Sequence, residues 1–151
     1  EIYGDEIDDL GDNLPYVDLG THDALGVTPH TVQQVETGSY NKVTCALLDT
    51  GQVKCWGATN SWSTGASAVL GRESVSFGIG NSVGEMGDNL PYVDLGTYDH
   101  DSNGGTPEID HTAKQLATTA YYACAILDDD RLKCWGRNGD GQLGLENNSN
   151  Y

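Results

Sequence analysis

The 151 residues carry 23 acidic side chains against seven Lys and Arg, a formal net charge of −16. That balance excludes a nucleic-acid groove and an anionic membrane surface as partners, because both recruit cationic patches. Twenty glycines without a Gly-X-Y period, and no apolar run as long as a membrane span, point to a turn-rich all-β protein. A start at Glu1, with neither Met nor a signal-like apolar segment, is read as that of a mature or partial chain.

The patterned part opens with GDNLPYVDLGT at 11–21, which returns word for word at 87–97, a shift of 76 residues. A repeat of this length signals a solenoid, a propeller or an array of small β modules. The expected units are 1–70 and 71–151. His22 and His100 read as loop residues. His30 begins HTVQQV and His111 begins HTAKQL, each ahead of an apolar strand, so their recurrence marks a structural turn and not a catalytic base.

VTCALLDTGQVKCWG (43–57) reads as a hairpin. With Leu48 and Gln52 closing it, the loop is Asp49-Thr50-Gly51, and Gly51 takes the left-handed position of a bulged type I turn. Counting outwards, Leu47 faces Val53 and Cys45 faces Cys55, close enough for a disulfide with little distortion. The second copy, shifted by 79 residues, closes Leu127 on Arg131 and sets Cys124 against Cys134. Its loop carries Asp130 where the first has glycine, a residue that tolerates the left-handed region better than most. Nine residues separate the cysteines of each pair, too many for the usual zinc spacing, so both pairs are expected to be disulfides made in an oxidising compartment. Trp56 and Trp135 follow the second cysteines and are expected to pack in the sheet interface.

The first unit continues with ATNSWSTGASAVLG (58–71), where the second has the shorter RNGDGQLG (137–144). Trp62 in that insertion is a candidate contact residue. The second unit carries its own insertion, DHDSNGGTPEID (99–110). Asp99, Asp101, Asn103, the carbonyl of Gly105 and Asp110 fall at positions 1, 3, 5, 7 and 12 of a calcium loop, with Gly104 at the turn. Alternate side chains there converge on one point, and calcium is the expected cofactor; a polar turn is the competing reading. Asn147-Asn148-Ser149 is a glycosylation sequon, with Asn147 the acceptor.

CAILDDDRLKCWGRNGDGQLG (124–144), preceded by GDNLPYVDLGT, resembles the regulator-of-chromosome-condensation (RCC1) repeat, closest to the secreted, disulfide-bearing variety found in long tandem arrays. The resemblance implies a four-stranded blade-like sheet per unit, about seven of which close a propeller. Val43-Thr44 and Tyr122-Ala123 depart from the His-Thr that usually precedes the first cysteine. The exchange-factor activity of the nuclear member needs a full propeller and its own loops, so it does not carry over.

Two units are too few to close a propeller, and a repeat cannot bury its inner face alone. Gly71 to Gly87 spans 16 steps, and a join of one chain's Gly144 to another's Gly11 would span 18, so the ends sit where a repeat connection belongs. The expected protein is therefore all-β, with two RCC1-like repeats of 76–79 residues, each stapled by a disulfide hairpin. Its expected role is a building block of an extracellular or cell-surface filament, associating head to tail with copies of itself. The alternative is a secreted, calcium-assisted module that binds a glycan or protein. Neither reading includes an enzyme: no nucleophile elbow, phosphate loop or zinc-protease motif occurs.

Overall fold

A computed structural model describes residues 9–38, 42–57, 66–71, 78–98, 108–149 and 151. The first unit forms an antiparallel sheet of β1 (Val32–Thr37), β2 (Val43–Leu48) and β3 (Val53–Gly57), in that order. A single helical turn, α1 (Ala66–Val69), follows. A two-residue ribbon pairs β4 (Thr97–Tyr98) with β5 (Ile109–Asp110). The second unit repeats the first sheet as β6 (Ala113–Thr118), β7 (Tyr122–Leu127) and β8 (Leu132–Gly136).

The central strands β2 and β7 are the apolar runs VTCALL and YACAIL, bounded by turn residues, as expected of strands covered on both faces. Both hairpins close as the loop length dictates: Leu48 N–H donates to Gln52 O at 2.9 Å, and Leu127 N–H to Arg131 O at 2.8 Å. Gly51 (φ 79°) and Asp130 (φ 67°) both occupy the left-handed region. Cys45 lies opposite Cys55 and Cys124 opposite Cys134. Both pairs are bridged, with Cα atoms 4.1 and 4.0 Å apart.

Each inner strand carries a bulge at the same place, between Val32 and Gln34 in β1 and between Ala113 and Gln115 in β6. A bulge re-aims the side chain beside it. Gln34 reaches across to the second sheet, donating to Leu116 O at 2.6 Å and accepting Leu116 N–H at 3.0 Å.

Residues 58–65 and 72–77, which flank the fourth position at the outer edge, lie outside the described residues. Among the described residues the fourth position holds only a one-residue bridge, Gly57 with Ile79, through bonds of 2.8 and 2.9 Å. Gly136 and Tyr151 exchange the same pair in the second unit. The chain curls away after Ile79 because Glu85 collects the N–H groups of Gly80, Asn81 and Ser82 at 2.9–3.0 Å. These bonds hold the Glu85 carboxyl below its ordinary pKa.

One apolar cluster spans the expected boundary at 70/71. It joins Val43, Leu47, Val53 and the Cys45–Cys55 bridge to Leu70, Leu90, Val93, Leu116, Ala125 and Trp135. Residues 87–95, second-unit by sequence, lie on the first sheet, where Val93 N–H donates to Val53 O at 2.8 Å. Among the described residues no helix is long and apolar enough to cross a membrane.

Candidate protein-interaction site

The repeated segment GDNLPYVDL creates the site, because one copy is seated and the other is not. In both copies a 3₁₀ turn forms, Leu14 N–H reaching Gly11 O and Leu90 N–H reaching Gly87 O at 3.2 Å. The second copy lies in a seat built by the first unit. There Lys54, fully buried, donates to Leu19 O at 2.8 Å and Gly87 O at 2.9 Å, and its ammonium sits 4.7 Å from the Tyr92 ring centroid. Tyr92 hydroxyl meets His30 Nε2 at 2.7 Å, and His30 Nδ1 meets Asp49 at 3.2 Å. Asp88 accepts Thr21 N–H at 2.7 Å. Gly87 N–H donates to Asp18 O at 3.1 Å.

The electrostatics follow from that burial. Desolvation holds the Lys54 ammonium below its usual pKa, opposed by Asp88 and Asp18. Burial, then the charges of Asp88 and Asp49, push the Tyr92 phenol up. The His30 hydrogen bond draws Asp49 down.

The first copy has no such cover over residues 11–18. Leu14 is 44% exposed where Leu90 is 1%, and Val17 58% where Val93 is 8%. With Tyr16, Val32, Val35 and Trp56 it lines an apolar cleft of about 880 Å³. Among the described residues the second unit presents a matching but more exposed version of the seat. Lys133 donates to Leu95 O at 2.6 Å, as Lys54 does to Leu19 O. Leu132 is 68% exposed where its counterpart Val53 is fully buried. His111 Nδ1 donates to Asp128 at 2.8 Å, lowering that carboxyl, while Nε2 accepts the Arg131 guanidinium at 3.1 Å.

Of the residues expected to carry chemistry, Asp99, Asp101, Asn103 and Gly105 lie outside the described residues, as do His100 and Trp62. Asp110 is described, exposed on β5 opposite Thr97. A different set, His111, Asp128 and Asp129, brings ligand atoms within 4.8 Å of one another. Arg131 pairs with Asp129 and bonds His111, so a cation of the protein itself answers those charges. Asn147 is exposed; its Oδ1 accepts Ser149 N–H at 2.9 Å and its amide donates to Leu145 O at 3.0 Å. Trp135 is buried and donates to Val69 O at 3.0 Å, whereas Trp56 stands half-buried in the cleft.

Residues 113–142 match the family described as the Regulator of chromosome condensation (RCC1) repeat. This stretch of the chain is similar to an RCC1 repeat. The human X-linked retinitis pigmentosa GTPase regulator is 44% identical over 41 residues, 27% of this chain and 4% of that protein. The mouse protein of the same name is 46% identical over 39 residues, 26% of this chain and 4% of its own length. The likeness thus covers about 4% of the length of these relatives.

Sequence reasoning passed over Lys54 and Gln34. Alternation along β3 gives no warning that a lysine would be covered, since the cover comes from a distant segment. The available signal was recurrence: Lys54 and Lys133 sit just before the second cysteine of each RCC1-like hairpin, in a chain with only seven basic residues. Gln34 and Gln115 recur likewise in the two inner strands.

Proposed function

We propose that this chain is a building block of an extracellular structural assembly, joining copies of itself head to tail through its RCC1-like repeats. One observation carries the reading: a segment present twice in identical words is buried against the preceding repeat in one place and bare in the other. A bare segment beside an apolar cleft, with a more exposed seat in the second unit, suits heterologous contacts that continue from chain to chain. The two disulfides suit an oxidising, extracellular setting. The net charge of −16 keeps the lateral faces of neighbouring chains apart and so favours growth through the ends. The reading includes calcium in the 99–110 loop and a glycan on Asn147.

Light scattering with negative-stain imaging of the purified, oxidised chain tests it, with and without a calcium chelator. Particles many times the 16.1 kDa of one chain are expected. Loss of the particles in chelator assigns the loop to the joint, and intact mass reports the glycan. A monodisperse monomer that captures an added glycan or protein in the cleft would refute the building-block reading.

A further inference from the structure

We infer that the joint between chains repeats the contact made between the two repeats of one chain, with residues 11–19 of a second copy seated on β8 and the His111 turn of the first. The inference rests on the self-association reading and names its surfaces. The internal contact is the template, and each of its parts has a counterpart left open. Lys54 bonds two carbonyls, Leu19 O and Gly87 O; Lys133 bonds only Leu95 O, and Gly11 O of a second copy fills the remaining place. Val93 N–H adds to Val53 O on β3; Val17 N–H of the second copy adds to Leu132 O on β8. Asp88 accepts Thr21 N–H, and Asp12 of the second copy accepts Thr97 N–H. Gln34 clamps Leu116, and exposed Gln115 clamps Val35, which is 55% exposed where Leu116 is 3%. The apolar cleft behind Tyr16 and Val17 then takes the second sheet of the neighbour, as the matching face of the second sheet takes the first.

Two substitutions make the outer joint differ from the inner one. Tyr92 hydroxyl bonds His30 Nε2, but the corresponding His111 Nε2 accepts Arg131, so Arg131 swings away to admit Tyr16 of the second copy. Gly51 lies so near Thr112 that a Cβ there would come within 2.7 Å of the threonine Cβ. Asp130 stands in the place of Gly51 and holds the outer joint away from Thr31 of the neighbour. The outer joint is therefore looser than the inner, and Asp130→Gly should tighten it.

The full oxidised chain is tested by sedimentation velocity across a concentration series. Val17→Asp spoils the segment and Leu132→Asp the seat, both at sites exposed in the free chain, so near-ultraviolet circular dichroism should stay native. Each variant alone is expected to associate at least about 100-fold more weakly than the parent. Mixed in equal amounts they should form a one-to-one dimer and nothing larger, because only one intact segment and one intact seat remain. Asp130→Gly should associate about tenfold more tightly. If the parent assembles and both aspartate variants assemble equally well, this joint is wrong while self-association stands. If the parent and Asp130→Gly both stay monomeric to millimolar concentration, the self-association reading falls with it.

Discussion

Replacing Lys54 by Met is the sharpest test of how the repeats are held together. The side chain keeps its length and apolar stem, but Leu19 O loses its donor in a place water does not reach, while Gly87 O keeps Leu90 N–H. Each buried carbonyl left unpaired costs about 1–3 kcal/mol. Releasing the ammonium from its buried site returns part of that, since its pKa is already depressed by desolvation. The net expectation is a loss of about 2 kcal/mol, a drop of roughly 1 M in the urea midpoint at an unchanged slope. Lys133→Met is the internal control: Lys133 is exposed and bonds one carbonyl, so water replaces the ammonium at a cost below about 1 kcal/mol. Urea unfolding followed by circular dichroism, at concentrations where the chain is monomeric, measures both. Equal losses for the two variants would refute the claim that the seated segment, and not the hairpin itself, gives Lys54 its weight.

Gln34→Ala strips both backbone partners from Leu116 and should cost about 2 kcal/mol in the same assay, while Gln115→Ala leaves monomer stability unchanged and weakens only association. Removing one bridge as the pair Cys45→Ala and Cys55→Ala should cost about 2–3 kcal/mol, read as a fall in the thermal midpoint under non-reducing conditions. In the free chain Asp130→Gly should be neutral or stabilising by up to about 1 kcal/mol, whereas Gly51→Asp should cost more than about 2 kcal/mol, because strain at φ 79° adds to the clash with Thr112. Asp23 is held far below its ordinary pKa by the Thr28 side chain and by the N–H groups of Val27, Thr28 and Leu25, and Glu85 is lowered by N–H groups of its own turn. Lowered carboxylates contribute stability that is present above their unfolded pKa, near 4, and lost as pH falls towards the folded value. Glu85→Gln should therefore flatten the fall in urea midpoint between pH 5 and 3; an unchanged slope would count against the capped turn.

The hairpins were legible to the residue because a three-residue loop fixes register, and register fixes which cysteines meet. The same arithmetic placed Gly51 and Asp130 in the left-handed region. Legibility ended where structure depends on two distant segments meeting. The bulge that turns Gln34 sideways leaves no composition signal, and its target is 82 residues away. Burial of Lys54 depends on the segment that crosses from the second unit onto the first sheet. The expectation of four strands per unit came from likeness and not from residues, and among the described residues the fourth position shows a single bridge.

That crossing segment also decides how the chain comes apart. Since Leu90 and Val93 of the second unit complete the core around Val53 of the first, neither sheet keeps its interior once the other opens. Heat should therefore melt the chain in one calorimetric transition, with the enthalpy of the whole and no half-folded plateau. Amides in β2 and β7 should exchange with deuterium together, at the rate of complete unfolding.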